Sequence, residues 1–306
     1  MPARLLVIAG PTASGKTRLG VRVAHALGSE IVSADSRQIY RGLDLGSGKD
    51  LDEYAAVRPP VRHHLIDVVD PRSVYSVFQF QADCFRLLET KAAEPPFDRG
   101  VPLLMVGGSG LYVEAVLRRY RIPAVPADEG LRRRLMAREH GELIEALEHA
   151  DPGLARRTDL SSKKRVVRAL EIATHRFDRV PRASPTHPPI DFLVFAIDIP
   201  RATLDQRIDA RLDDRLRRGL VDEVRGLLDD GVSPARMARL GLEYREVTAF
   251  LTGHKSERQM IDDLRRGIRR LAKRQLTWFR GMPRRGIELQ WIGPDEVERV
   301  ARHPWV

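Results

Sequence analysis

The segment that most constrains this chain is the loop Gly10-Pro11-Thr12-Ala13-Ser14-Gly15-Lys16-Thr17. It fits the pattern GxxxxGK[ST] and lies between an apolar run at residues 5–9 and a helical pattern at residues 19–27. In this order a strand, a glycine-rich turn and a helix form a phosphate-binding loop, because backbone N–H groups and the helix N-terminus attract phosphate oxygens. Lys16 then contacts terminal phosphate oxygens and the Thr17 hydroxyl binds Mg²⁺. The sequence therefore predicts a di- or triphosphate site, with a chance glycine turn as the alternative.

The charge balance indicates what else the protein binds. In 306 residues, 52 Lys and Arg oppose 42 Asp and Glu, which gives a formal net charge of +10. Such a surplus suggests a polyanionic partner such as nucleic acid, although an arginine-rich composition produces it without any partner. With 42% hydrophobic and 31% charged residues the chain is typical of soluble globular proteins, and it is long enough for one large and one smaller domain.

Two absences narrow the class of protein further. Cys84 is the only cysteine, which excludes a disulfide framework and a cysteine-ligated zinc site. No apolar run reaches the length of a membrane span, and only a few residues precede the first predicted strand. We therefore expect a cytoplasmic protein with no membrane partner.

The order of apolar runs predicts an α/β fold. Further strands are expected at residues 31–34, 102–106 and 192–197, separated by helical patterns. From 120 to 189 the chain changes to short leucine-marked helices rich in arginine, which end in a proline-rich loop over 181–189. We predict a P-loop NTPase-like parallel sheet core, residues 1–119 and 190–306, with a small helical insertion domain at 120–189.

Two predicted strands end in distinctive residues. Asp35 follows the strand at 31–34, so that it would lie beside the phosphate loop at the carboxyl edge of a parallel sheet. A helix N-cap or a turn is an equal alternative for this aspartate. The strand at 102–106 ends in Gly107-Gly108-Ser109-Gly110, where an ATPase would usually have a magnesium-binding aspartate. This substitution counts against a motor ATPase.

Basic residues cluster at two places outside the loop. One cluster, with Lys164, Arg165 and Arg168, lies in the predicted insertion. The other accompanies an apolar stripe at 264–271 and runs into Trp278 and Phe279. Aromatics interleaved with basic residues are what base stacking uses, so RNA contact is favoured over a solvated helix face.

Four separated blocks resemble one family. GPTASGKT, DSRQIY, GGSGLY and AKRQLTWFR are together similar to the bacterial tRNA dimethylallyltransferases, also called tRNA isopentenyltransferases. HHLID, KKRVVRALE and RIDARLDDRL agree as well, in the same order and over nearly the whole chain. The resemblance implies an Mg²⁺-dependent enzyme with a P-loop core. Such an enzyme moves a dimethylallyl group from dimethylallyl diphosphate to N6 of the adenine directly 3′ of the anticodon, position 37 of tRNA, and releases diphosphate.

The resemblance also implies residue roles. Residues 10–17 would bind the diphosphate, with Thr17 also on Mg²⁺, and Asp35, Thr17 and Arg211 would be catalytic, Asp35 as the general base. The expected partners are the anticodon stem-loop and the prenyl donor, bound by a monomer. The expected tRNA contacts are Asp35, Ser36, Arg37, Gln38, Ser109, Arg132, Lys164, Arg165, Val166, Val167, Arg168, Arg239, Arg245, Lys273, Arg274, Gln275, Thr277, Trp278 and Arg280.

The chain departs from the family pattern at three places. Gly46-Ser47-Gly48-Lys49-Asp50 stands where the family usually reads GTAKP, residues 241–246 are one residue longer than the common GYKE-like block, and the insertion is shortened. These departures bear on tRNA selection rather than on the chemistry.

Three rival functions share some of these features. A P-loop nucleotide kinase would use the same loop but leaves GGSGLY and the basic-aromatic block unexplained. An isopentenyltransferase acting on free adenine nucleotides would not need the large basic surface. A non-catalytic RNA-binding protein would keep every measurable activity when Lys16 is replaced.

Overall fold

A computed structural model describes residues 3–123, 125–176 and 189–306 of the chain. The described residues within Met1–Tyr120 and His187–Val306 form one compact unit, and those within Arg121–Thr186 form a second. Residues 181–188 of the predicted proline-rich loop lie outside the described residues. Within the described part of the chain, no helix is both long and apolar enough to cross a bilayer.

The first unit is built on a six-stranded sheet in which every pairing is parallel. The strands are β1 Ala3–Ala9, β2 Ile31–Ser33, β3 His63–His64, β4 Leu103–Gly107, β5 Ile190–Ile197 and β6 Gln290–Ile292. Their spatial order is β3-β2-β4-β1-β5-β6, so β1 lies between β4 and β5. The sheet confirms the predicted α/β class; the short strands β3 and β6 had not been predicted.

Helices connect and flank these strands. Those of the first unit are α1 Lys16–Leu27, α2 Leu51–Ala55, α3 Val77–Lys91, α4 Gly110–Leu117, α9 Arg201–Arg217, α10 Leu220–Asp229, α11 Pro234–Leu240, α12 Leu242–Leu251, α13 Glu257–Arg280 and α14 Val297–Ala301. The second unit contains α5 Glu129–Met136, α6 His140–Ala150, α7 Pro152–Arg157 and α8 Lys163–Arg176.

Both faces of the sheet are buried, because successive residues of a strand point to opposite sides. Leu5 and Val7 of β1 belong to a core with α3, α4 and the end of α13. Leu6 and Ile8 belong to a second core, which they share with α1 and α14. A third core lies among α9 to α13. Residues 5–9 of strand β1 are therefore buried on both faces of the sheet.

Apolar residues stand at every fourth position from Leu204 to Leu220, and this repeat crosses a helix boundary. Helix α9 ends at Arg217, and Gly219 has φ 98° before α10 begins. A positive φ is accessible to glycine at little cost, so the chain turns here while the apolar residues continue into the same core.

The second unit has a core of its own. Leu143 and Leu147 of α6 pack with Val166 and Leu170 of α8. Val166 is 0% exposed and Val167 3% exposed, so both side chains belong to this core. Packing is the role that the structure shows for these two side chains, and their expected contact with tRNA stays a prediction. Lys164 and Arg165, in the first turn of α8, are exposed.

Candidate active site

The phosphate loop connects β1 to α1 in a tight turn. Gly15 precedes the helix with φ 90°, and Ala13 also has a positive φ, 61°. The N–H of Ser14 donates to the carbonyl of Pro11 over 3.3 Å. A side chain at Gly10 would place its Cβ only 2.8 Å from the Ser14 hydroxyl. The glycines thus allow the backbone to curl at the helix N-terminus, where an anion is favoured.

Lys16 lies inside this turn. Its ammonium donates to the carbonyl of Pro11 over 3.4 Å. Burial lowers the pKa of Lys16 from 10.5 to about 8, and Arg211 lowers it further while Asp35 opposes the shift. Removing the ammonium from water and placing a second cation nearby both disfavour its charge. An arriving anion would reverse that effect.

The carboxyl edge of the sheet holds two adjoining cavities. One, of about 400 Å³, is lined by the loop together with Arg207 and Arg211. The other, of about 220 Å³, is lined by Asp35, Ser36, Ser109 and other residues at the ends of β2 and β4. Both cavities share Lys16, Thr17, Asp50 and Arg211. The predicted catalytic residues Thr17, Asp35 and Arg211 therefore line one connected cleft.

Asp35 directs its carboxylate back onto its own turn. Its Oδ1 accepts a hydrogen bond of 2.9 Å from the N–H of Arg37, two residues ahead. No helix begins after Asp35 before α2, so the turn, and not a helix cap, is the structural role that this aspartate has. A carboxylate has further lone pairs, so this bond leaves it able to accept a proton in the cleft.

The residues after Asp35 connect β2 to its neighbours. The N–H of Ser36 donates to the Ser109 hydroxyl over 3.0 Å. Arg37 reaches the carbonyl of Arg239 with a 2.8 Å bond. Gln38 is 7% exposed, accepts from Ser33 and donates to the carbonyl of Gly48, so its amide is used within the fold.

Helix α13 reaches the cleft through Gln275. The side-chain oxygen of Gln275 accepts from the Thr12 N–H over 2.8 Å, and its NH₂ donates to the Gly108 carbonyl over 3.0 Å. The neighbouring side chains Lys273, Arg274, Thr277 and Arg280 are exposed. The predicted RNA-contacting segment therefore joins the phosphate loop to the glycine turn after β4.

Trp278 has a packing role in this structure. A Cβ at Gly110 would lie 2.3 Å from the indole ring, so only glycine permits this approach. The Arg285 guanidinium stands 5.1 Å from the ring centroid, on α13's C-terminal side. The ring is half-buried against the core of β1 and β4, and stacking on a base would use what remains accessible.

A charged cluster beside Arg211 had not been predicted. Arg211 forms an ion pair with Asp50, and Arg215, one turn further along α9, stands 3.7 Å from Glu243 of α12. Burial and the neighbouring Arg211 lower the pKa of Arg215, whereas burial raises the pKa of Glu243. The four-residue spacing of these two arginines indicates that they share one face of α9, but nothing in the sequence reveals their partners.

The segment 46–50, which departs from the family pattern, is part of this cluster. Gly48 has φ 65°, and a Cβ there would lie 1.8 Å from the Arg215 guanidinium. Lys49 is 1% exposed and forms ion pairs with Asp44, at 2.5 Å, and with Asp67. The segment is therefore held by close packing against Arg215 at Gly48 and by the two ion pairs of Lys49.

The basic residues of the second unit differ in whether their side chains form ion pairs within the protein. Arg132 and Arg168 both contact the buried carboxylate of Glu171, at 2.8 and 3.2 Å. Arg165 pairs with Asp159, and Lys164 is exposed. In the first unit, Arg245 pairs with Glu246 at 2.6 Å, and Arg239 lies exposed at the end of α11.

The cleft offers oxygen ligands for a magnesium ion. The Thr17 hydroxyl and the Asp35 and Asp50 carboxylates line it, whereas the described residues contain no group of three or more His, Cys, Asp or Glu side chains suited to a metal. Mg²⁺ is usually held by one or two protein oxygens, waters and substrate phosphates rather than by an all-protein cage. The residues present fit that arrangement.

A parallel sheet, a phosphate loop at its central strand and a cleft lined by several cationic side chains define a phosphate-loop α/β protein. Its family is shown by comparison. The family profile described as IPP transferase matches residues 38–282, and that described as isopentenyl transferase matches residues 3–68. The chain belongs to the IPP transferase family, which confirms the resemblance found in the sequence.

Relatives cover nearly the full chain. A protein of Syntrophus aciditrophicus named tRNA dimethylallyltransferase 1 is 47% identical over 300 residues, covering 98% of this chain and 97% of its own. One of Porphyromonas gingivalis with the same name is 43% identical, with coverage of 94% and 93%.

Solved structures agree in fold. The tRNA isopentenylpyrophosphate transferase of Bacillus halodurans is 33% identical with a TM-score of 0.68, covering 97% of this chain and 93% of its own. The tRNA isopentenylpyrophosphate transferase of Staphylococcus epidermidis is 29% identical with a TM-score of 0.65, covering 96% of this chain and 94% of its own.

Proposed function

We propose that this protein transfers a dimethylallyl group from dimethylallyl diphosphate to N6 of the adenine 3′ of the anticodon, position 37 of tRNA. The observation that carries the proposal is the common cleft, in which the phosphate loop residues Lys16 and Thr17 and the carboxylate of Asp35 line one cavity. A nucleophile activated there would face a leaving group held in the loop.

The loop and its neighbours supply the binding site for the donor. Backbone N–H groups at the start of α1, the Lys16 ammonium and the Arg211 guanidinium would hold the diphosphate, whose negative charge grows as it departs. Mg²⁺, held by the Thr17 hydroxyl and by phosphate oxygens, would neutralise further charge on the leaving group. Arg207 adds a cation at the loop, where its guanidinium donates to the Ser14 carbonyl over 3.3 Å.

Asp35 would act on the acceptor. The exocyclic amine of adenine is a weak nucleophile because its lone pair is delocalised into the ring. As N6 bonds to C1 of the dimethylallyl group, the bond from C1 to the diphosphate oxygen breaks and the Asp35 carboxylate takes one N6 proton. General-base assistance of this kind contributes about 10²–10⁴-fold in rate. The products are the prenylated adenine, a protonated carboxyl group and diphosphate.

tRNA must present an unstacked base to this cleft. Extruding a base costs a few kcal/mol, which contacts with the RNA backbone have to offset. The exposed cations Lys273, Arg274 and Arg280 on α13, next to Gln275 in the cleft wall, support such contacts in the first unit. We further propose that the protein acts as a monomer in the cytoplasm, an expectation that comes from the sequence analysis alone.

Mass spectrometry of tRNA nucleosides tests the proposal. An unmodified tRNA transcript is incubated with the protein, dimethylallyl diphosphate and Mg²⁺, and we expect a five-carbon prenyl unit on one adenosine next to the anticodon. Omission of Mg²⁺ tests the metal requirement, and Lys16→Ala should abolish transfer while tRNA binding stays largely intact. Equal losses of binding and transfer in that variant would contradict this division of roles.

Two parallel assays separate the rivals. Transfer of phosphate from ATP to a nucleotide, without prenylation, would indicate a kinase. AMP that is prenylated in competition with tRNA would indicate an enzyme for free nucleotides. tRNA binding with no transfer in either assay would indicate an RNA-binding protein.

A further inference from the structure

Asp50 stands where an aspartate usually caps a helix, but it does not do so. It directly precedes α2 and has left-handed backbone angles, φ 48° and ψ 45°, and its side chain makes no capping hydrogen bond. An N-cap side chain normally accepts from the second or third N–H of its helix. The carboxylate of Asp50 is instead paired with the guanidinium of Arg211 on α9.

The Asp50–Arg211 pair lies at the junction of three cavities. Both residues line the two cavities of the cleft and a third of about 430 Å³ on the far side of Gly48. Asp50 is half-buried and Arg211 is 27% exposed, so the ion pair is partly shielded from water. Partial desolvation strengthens such a pair relative to one on an open surface.

The charges around Arg211 explain why it needs a partner. Its neighbours Lys16 and Arg215 are both cations, and the charge of Arg211 lowers the pKa of each. Without a carboxylate nearby, repulsion would push the flexible Arg211 side chain away from the phosphate loop. The contact from Arg211 Nη2 to the Gly48 carbonyl, at 3.5 Å, is long and supplies little restraint.

We propose that Asp50 is a positioning residue for donor binding, which holds Arg211 at the phosphate loop. The ion pair uses one terminal nitrogen of a guanidinium that carries five N–H donors, so the others remain for the diphosphate. The inference rests on the proposed function and specifies a part of it. It assigns Asp50 an effect on donor binding that is exerted through Arg211.

Two substitutions remove the carboxylate without straining the backbone. Asn and Gly both accept left-handed angles, so Asp50→Asn and Asp50→Gly should fold with an unchanged thermal midpoint. Asp52→Asn is the matched control, because it removes an equal charge from an exposed side chain of α2, two residues after Asp50. For both Asp50 variants we expect the Kd for dimethylallyl diphosphate, measured by calorimetry, to rise by about 10-fold or more. The KM for tRNA should stay at the wild-type value in both Asp50 variants. The Asp52→Asn protein should bind the donor with the wild-type Kd.

A double-mutant cycle tests whether Asp50 acts through Arg211. In an Arg211→Gln protein the carboxylate has nothing to position, so adding Asp50→Asn should change the donor Kd by less than about twofold. Equal losses in both backgrounds would overturn the proposal in favour of an independent role, such as binding Mg²⁺. Tighter donor binding in Asp50→Asn would also overturn it, since the carboxylate would then compete with diphosphate. If the wild-type protein transfers the prenyl group and the Asp50 variants bind the donor with the wild-type Kd, the inference about Asp50 is refuted and the proposed function stands.

Discussion

The backbone N–H of Thr12 donates a 2.8 Å hydrogen bond to the side-chain oxygen of Gln275. Through its NH₂ group the same side chain donates to the carbonyl of Gly108. One amide on α13 thus connects the loop after β1 with the glycine turn after β4. Since α13 also presents exposed Lys273 and Arg274, the helix proposed to contact RNA is bonded directly to the loop proposed to hold the donor.

Replacement of Gln275 should weaken donor binding. In Gln275→Ala the Thr12 N–H and the Gly108 carbonyl lose their partner, and the loop loses its anchor to α13. We expect the KM for dimethylallyl diphosphate to rise by about tenfold, because small displacements of binding groups are costly. Steady-state kinetics at saturating tRNA provide the measurement. Gln206→Ala, on the exposed side of α9, is the control, and an unchanged donor KM in Gln275→Ala would show that the bridge is dispensable.

The pKa of Lys16 gives donor binding a pH dependence. The free protein has a Lys16 pKa of about 8, and a bound diphosphate would raise it. Below pH 8 the ammonium is protonated in both states, so affinity is constant. Above pH 8 binding requires proton uptake, and affinity should fall by up to about tenfold per pH unit.

Calorimetric titrations with dimethylallyl diphosphate between pH 7 and 10 would show this decline. In Lys16→Arg the guanidinium stays protonated, so the decline should disappear, while titration of the donor itself affects both proteins equally. The same pH profile in both proteins would exclude Lys16 as its origin.

The two roles of Asp35 can be separated by one substitution. Asparagine keeps an oxygen that accepts from the Arg37 N–H and tolerates the same turn, but an amide cannot take the N6 proton. Asp35→Asn should therefore show a thermal midpoint close to the wild type and should bind tRNA. Its turnover should fall by about 10²-fold or more. Near-normal turnover would leave Asp35 with the turn as its only role.

The basic residues should differ in their effect on salt dependence. Each phosphate contact contributes a slope of about −0.7 to −0.9 to a plot of log affinity against log salt concentration. Neutralising exposed Lys164, Lys273 or Arg274 should flatten the slope by roughly one such unit. Arg165 and Arg168, which pair with Asp159 and Glu171, should give smaller changes.

Filter-binding assays with tRNA over a range of salt concentrations would measure the slopes. Arg302→Gln, at an exposed site near the C-terminus, serves as the control. An unchanged slope in all five variants would assign these residues to a solvated surface.

The sequence was most informative where a pattern is local. The apolar run before Gly10, the glycine spacing and the helix after Lys16 identified the loop correctly, because strand, turn and helix each depend on neighbouring residues. The short strands β3 and β6 were missed, since two or three residues carry no periodicity and pair only because longer strands are already in place.

Contacts between distant segments could not be read from the sequence. Nothing in the sequence near Asp50 indicates that its carboxylate pairs with Arg211 instead of capping α2. Val166 and Val167 lie between basic residues, and only the packing of α6 against α8 shows that they are buried. The partners of Arg215 and Gln275 are likewise set by how the helices pack on the sheet.

The strand order has a consequence for when the cleft comes into being. β1 and its loop are synthesised first, but β5 and α9, which bring Arg211 to the loop, come only after the helical insertion. Gln275 follows later still. A nascent chain that ends before these elements has the glycine loop without the cations and the amide that complete the cleft. Because a ligand stabilises only the state that binds it, the prenyl donor would favour the finished chain and leave its precursors unaffected.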